Sequence, residues 1–401
     1  MQPHTSTTSF KSFLKGPLAG AAFLMATSAI GPGFITQTTV FTQQLLSSFG
    51  FVILISVLLD IIVQLNIWRI VAVAQLQAQD IANCVFPGMG YVLAALIVLG
   101  GLAFNIGNIA GAGLGLNVLT GIDVLTGAAI STAIALFIFW IKEAGAAMDW
   151  FAKILGFVMI ALTVYVAIQS QPPVVTALQH SILPQQVSTT AIITLVGGTV
   201  GGYISFAGAH RLLAAGVKGE AQLKQVSKSS ILAIVVAAVM RVLLFLAALG
   251  VVLSGAVINK DNPAAHVFQL AAGNLGYKIF GVVLWSAAIT SVVGAAYTSV
   301  SFISNFHPWL KKQERSIISG FIIFSMVVFA LVGRPVKVLV TVGALNGLIL
   351  PVALALLLIA AHNKKIMGSY RHSKWLTVAG GLVVVLMGYM GIQLLLTDLF
   401  R

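Results

Sequence analysis

Eleven apolar runs of about 20 residues, separated by short polar links, leave this chain one solvent to fold in, the hydrocarbon of a bilayer. They lie near 18–46, 49–71, 90–119, 124–141, 148–168, 189–215, 229–257, 276–304, 316–333, 337–361 and 375–397. Charged residues are 8% of the 401, where a soluble domain carries roughly 25%. No polar segment is long enough for a separate domain, so residues 1–401 are expected to form a single transmembrane domain, all-α and polytopic. The first run is too long for a signal-peptide core and lacks a small-residue cleavage motif, so it is expected to remain in the membrane.

Net charge is +13, yet the basic residues do not cluster as in a nucleic-acid binder. They sit in the links, where they act as topology signals. With the N-terminus inside, one side collects Lys11, Lys15, Arg69, Lys142, Lys153, Arg211, Lys218, Lys224, Lys228, Lys311, Lys312, Arg315, Lys364, Lys365, Arg371 and Lys374. The other holds Lys260, Lys278, Arg334, Lys337 and Arg401, and Arg241 falls within a run. This asymmetry predicts a multi-pass protein of the cell's inner (plasma) membrane, N-terminus cytoplasmic and C-terminus outside. The single Cys84 excludes an internal disulfide and is expected to be an inert thiol at a loop end.

Two runs carry a device that the others lack. In the first, Ile30-Gly31-Pro32-Gly33-Phe34 stands mid-run: proline has no N–H and clashes with the preceding turn, and glycine allows the chain to leave the helix. In the sixth, Gly197-Gly198-Thr199-Val200-Gly201-Gly202-Tyr203 lies at the corresponding depth. Close packing through small residues accounts for one such stretch. A pair at matching positions five runs apart points to two interrupted helices around a transport site. The expected architecture is an inverted 5+5 repeat, about 18–168 and 189–361, with 375–397 as an extra helix.

The order of motifs resembles the Nramp family of metal transporters, which have the LeuT-type fold. The family's Asp-Pro-Gly-Asn corresponds to Gly31-Pro32-Gly33-Phe34. Gln79-Asp80-Ile81-Ala82, Asn117 to Ile122, Phe280-Gly281 through Tyr297, and Leu350-Pro351 resemble further family landmarks. The metal-site motifs are replaced. Gly31 and Phe34 stand where the family has its metal-binding aspartate and asparagine, and Gly201-Gly202-Tyr203-Ile204 where it has Met-Pro-His-Asn. Asn105 and Asn108 take the places of the acidic residues that carry protons in span 3, and a small residue near Gly343 that of the span 10 glutamine.

A divalent cation requires carboxylate, thiolate, imidazole or thioether ligands, and neither break supplies one. Met25 lies nearly two turns from Gly31, and His210, beside Arg211, is well beyond Tyr203. No metal or cofactor is expected. Two helix starts without acidic neighbours instead suit an anion. The expected binding residues are Ser28, Gly31, Gly33, Phe34, Thr36, Asn105, Asn108, Gly201, Gly202, Tyr203 and Ser205, with Thr38 beside them. The resulting expectation is a secondary active transporter for a small organic anion or amino-acid derivative. Pyroglutamate is the concrete candidate, because members of this branch without the metal motifs are often encoded beside 5-oxoproline-degrading enzymes.

Asp60 and Arg241 are charges deep within runs, where a charge is expensive and is paired or functional. They fit an ion pair locking the bundle, or a proton-coupling carboxylate and an extra attraction for the anion; His210 joins them as a coupling candidate. Protons are the expected coupling ion, with Na⁺ at Ser286, Thr290 and Ser291 as an alternative. The Gln75, Gln77, Gln79, Asp80 tract is expected to be a solvated loop. A monomer in a lipid bilayer with no nucleic-acid partner is expected. The rival functions are divalent-metal transport with a degenerate site and a non-transporting sensor. No catalytic cluster or phosphate-binding Gly-Lys-Ser/Thr motif supports an enzyme or an ATP-driven pump.

Overall fold

The computed structural model describes residues 22, 25, 26 and 28–399, and the side chains among them except those of 142–153 and 398–399. Lys11 and Lys15, and residues 18–21, 23, 24 and 27 of the first run, lie outside the described residues. The elements are α1 Pro32–Leu45, α2 Phe49–Ala74, α3 Ala78–Val85, α4 Met89–Thr120, α5 Val124–Trp140, α6 Lys142–Gln169, α7 Val174–Ile182 and α8 Thr189–Val200. They continue as α9 Ile204–Ala214, α10 Leu223–Leu253, α11 Pro263–Ser304, α12 Pro308–Lys312, α13 Glu314–Val332, α14 Pro335–Ala360, α15 Lys364–Met367 and α16 Lys374–Leu399. No strand occurs among the described residues, as expected where hydrocarbon offers the backbone no partner but itself.

The helix ends follow local chemistry. Asp123 caps α5 by accepting from the amides of Leu125 and Thr126, and Ser188 caps α8 through Ala191 N–H. Pro32, Pro263 and Pro335 open their helices, where the missing N–H costs nothing.

All eleven expected spans meet a helix. Among the described residues, eight helical stretches are long and apolar enough to cross a membrane, or nine if Ile154–Gln169 and Val174–Ile182, bent by 104°, form one span. One stretch, Pro32–Ala74, has 43 residues, about twice what a bilayer needs. It is interrupted at Leu46 (φ 50°, ψ −133°) and comprises α1 and α2. The expected fourth span is α5, an apolar helix of 17 residues that is shorter than any of those eight stretches. The expected start of span 8 needs correction: α11 begins at Pro263, thirteen residues before 276, and is kinked at Gly273 (φ 64°).

The central stretch of span 6, residues 191–209 of α8 and α9, is wholly buried, with α14 and α2 packed against it. By contrast, α13 and α16 expose Phe324, Leu331, Leu382 and Val385, an apolar outer face suited to lipid. Glycines bring the inner helices close: Pro32 lies against Gly111, Trp68 against Gly208 and Trp285 against Gly115.

Candidate functional site

Both expected interruptions are present. Helical backbone runs to Ala29, leaves the helix at Ile30 and Gly31, and restarts at Pro32. Gly33 and Phe34 occupy the second and third positions of α1, whose amides have no partner within the helix. Span 6 stops at Val200, passes through extended Gly201 (φ −77°, ψ 165°) and left-handed Gly202 (φ 53°), and restarts at Ile204. The second start is less bare than the first. Ile204 N–H donates to Gly201 O at 3.2 Å and Phe206 N–H to Tyr203 O at 3.1 Å.

Around the first break stand Asn108 of α4 and Ser291 of α11. A methyl group on Gly31 would lie 3.5 Å from Asn108 Oδ1 and 3.6 Å from Ser291 Oγ. Asn108 Nδ2 is buried without a hydrogen-bond partner. Around the second break stands Asn346 of α14. Its Nδ2 donates to Gly100 O at 3.1 Å and to Val342 O at 2.9 Å, and its Oδ1 is unpartnered against Gly202. Tyr203 is buried edge-on to Phe104, ring centroids 5.5 Å apart. Between the breaks lies Gln37, whose Nε2 donates to Leu339 O at 2.8 Å while its amide fills the space left by Gly198 and Gly343. Neither Gln37 nor Asn346 was among the expected site residues, and Ser291 was expected only as a sodium ligand.

Several expected ligands are differently employed. Ser205 Oγ donates to Val200 O at 2.7 Å, bridging the interruption, so its hydroxyl ties the two halves together. Asn105 Nδ2 donates to Ser325 Oγ of α13 at 3.2 Å, and its Oδ1 is buried without a partner. Thr38 donates to Phe34 O at 2.7 Å along its own helix. Thr36 is buried at α1 and Ser28 is half-buried on the preceding turn. Thr290 bonds back to Ser286 O and Ala287 O. Met25 is fully buried in the core.

The intramembrane charges meet. Asp60 and Arg241, both buried, line one cavity of about 10 Å³ with Phe34, Ser56 and Thr199. The Arg241 guanidinium carbon lies 4.0 Å from the centroid of the Phe34 ring, a cation–π contact. His210 is elsewhere: its Nε2 accepts from Ala78 N–H at 3.2 Å and its ring lies 4.9 Å from that of Phe302. The Gln tract is solvated only in part: Gln75 is exposed in the turn after α2, whereas Gln79 is fully buried on α3. Its Gln77 Oε1 accepts from Gln79 Nε2 and Asn305 Nδ2. Cys84 is exposed near the end of this helix. Among the described residues, no group of three His, Cys, Asp or Glu side chains is placed to hold a metal ion.

Comparison with known proteins bears on this geometry. Residues 22–397 match the family model described as natural resistance-associated macrophage protein-like. The chain is 60% identical over 399 residues to the uncharacterized membrane protein YcsG of Bacillus subtilis, covering 100% of this chain and 99% of that one. A crystal structure of the Eremococcus coleocola manganese transporter superposes with a TM-score of 0.73 at 18% identity, covering 98% of this chain and 87% of the other. MhsT in complex with L-phenylalanine superposes at 0.61 with 15% identity, covering 93% and 98%.

Proposed function

The chain belongs to the Nramp family of membrane transporters, and from that premise we propose that it carries a small organic anion or amino-acid derivative, driven by coupled protons. The observation that carries this reading is the chemistry of the first break: the free helix start at Gly33 and Phe34 faces neutral Asn108 and Ser291. A helix start presents amide donors and a partial positive charge. An anion gains from both, whereas a divalent cation is repelled unless carboxylates or soft ligands outweigh them. Phe34 and Tyr203 give the ligand apolar walls, and the unpartnered Asn108 Nδ2 gives it a donor. Pyroglutamate fits, having one carboxylate, a lactam and no free ammonium to demand an acidic partner. The similarly folded MhsT was crystallised with an amino acid, so the scaffold is compatible with an organic solute.

The second reading is divalent-metal transport, favoured by the similarity in fold to a manganese transporter. In that case Asn108, Asn346 and backbone carbonyls replace the usual ligands. Isothermal titration of the purified protein with pyroglutamate and with Mn²⁺ separates the two. Heat with pyroglutamate and none with Mn²⁺ is expected, and the reverse result would replace the anion by the metal. The positive-inside pattern supports a cytoplasmic N-terminus and an external C-terminus.

A further inference from the structure

Three polar atoms facing the small cavity between α2, α8 and α10 are buried without hydrogen-bond partners: Ser56 Oγ, Asp60 Oδ1 and Arg241 Nη2. Each belongs to a residue no more than 3% exposed. An ion pair serving only to lock the bundle would close on itself, since unsatisfied buried charge is costly. Instead the carboxylate and guanidinium flank a space of about 10 Å³, close to what one water needs, with three polar atoms to hold it. Thr199, whose Oγ1 donates to Leu195 O at 2.8 Å, completes the polar lining beside Asp60.

Arg241 has a second neighbour. Its guanidinium lies behind the ring of Phe34, the third residue of α1 at the proposed anion site. Resting on that reading, we propose that Asp60 is the proton-binding carboxylate of the transport cycle and that Arg241 links its charge to the anion through Phe34. A hydronium delivers its proton to Asp60 Oδ1 and leaves as water; the carboxyl becomes neutral. Arg241, no longer opposed by a carboxylate, then presents its full positive charge beneath Phe34, and the anion binds more tightly in front of it. Linkage makes the effect reciprocal: the bound anion raises the proton affinity of Asp60. Proton and anion load together and leave together, so the loaded carrier has the same net charge as the empty one.

Within the cavity lining, Arg241 is the one charged partner of Asp60. Other charged or imidazole side chains described on helices packed against α2 sit toward helix ends: Asp80 on α3, His180 on α7, His210 and Arg211 on α9, Lys224 and Lys228 on α10, Lys337 on α14, Lys364 and Lys365 on α15, and Lys374 on α16.

The test is pyroglutamate affinity of the purified full-length protein at pH 5.5 and 7.5, in wild type, Asp60→Asn and the charge-neutral pair Asp60→Asn/Arg241→Gln. Wild type should bind more tightly at the lower pH, within the range of about 5- to 150-fold common for coupled sites. Both variants should lose that dependence. The neutral pair guards against Asp60→Asn failing to fold by stranding Arg241. A wild-type pH profile in the neutral pair overturns the proposal. If wild type binds no pyroglutamate, the anion reading falls, and thermal unfolding from pH 5 to 8 decides the proton site alone. A pH-dependent difference between wild type and the neutral pair keeps Asp60 as a proton site, and parallel curves remove it.

Discussion

Asn346 of α14 is wedged between two glycines, donating to the carbonyl of Gly100 at 3.1 Å while its Oδ1 rests against left-handed Gly202. One amide therefore joins span 3, the interruption of span 6 and span 10. Gly202→Ala should be doubly unfavourable. Its φ of 53° costs an L-residue about 1–2 kcal/mol, and the added methyl displaces Asn346. The melting temperature should fall, and Asn346→Ala added to Gly202→Ala should destabilise by less than the two separate losses combined, because the clash is gone. Strict additivity of the two in thermal melts would mean that the residues do not share the space.

The hydroxyl of Ser205 satisfies the last carbonyl of α8, so its role is to hold the break open in one geometry. Ser205→Ala leaves Val200 O without that partner in a buried setting, a loss of about 1–2 kcal/mol. Stability should drop while substrate affinity stays close to wild type. A large loss of affinity with unchanged stability would return Ser205 to the ligand set.

Both breaks were legible because their cause is local. Proline between glycines at 31–33 ends a helix in any surroundings, and Gly201-Gly202 permits a left-handed turn that few other pairs allow. Span positions were legible from apolar length alone. The side chains turned toward the breaks were not. Helices such as α4 and α14 are apolar around most of their circumference, so no periodic stripe marks an inner face. Asn105 and Asn108 look equivalent in the sequence, yet one is spent on Ser325 and the other faces Gly31. Gln37 and Asn346 gain their positions from Gly198, Gly343, Gly100 and Gly202, which lie far off in sequence. The only available signal was that a long amide within a bilayer needs small neighbours to make room for it.

A polar chain that ties the link before α16 to the end of α2 makes stability depend on pH. His372 Nε2 bonds Asn66 Oδ1 at 2.8 Å, its Nδ1 faces Tyr370 OH at 3.4 Å, and Arg69 Nη2 donates to that hydroxyl at 3.1 Å. Burial, followed by the charges of Arg69 and His362, pushes the imidazole down to about 4 from 6.5. The unfolded chain thus takes up a proton as pH falls through about 6.5, while the folded chain resists until about 4. Stability from this group is complete above pH 6.5 and is lost between 6.5 and 4. Melting temperatures of His372→Asn should fall less steeply across that window than those of wild type, and equal slopes would rule the group out.

Asn108 offers the sharpest division between an anion and a metal as cargo. It replaces an acid of the Nramp pattern, and its Oδ1 stands beside Gly31 while its Nδ2 has no partner. Asn108→Asp changes few atoms but removes the donor and places a negative charge beside the start of α1. For an anion both changes are unfavourable: a lost hydrogen bond to a charged group is worth about 1.5–3 kcal/mol, or roughly 10- to 150-fold in affinity, and charge repulsion adds to it. For Mn²⁺ the same substitution supplies a hard oxygen ligand where none stood, and binding should strengthen. Asn108→Ala removes the donor without adding charge, so it should weaken anion binding less than Asn108→Asp. That order, aspartate worse than alanine worse than asparagine in titrations with pyroglutamate, is expected of an anion site. Tighter Mn²⁺ binding by Asn108→Asp than by a wild type that already binds the metal would instead identify the site as one for cations.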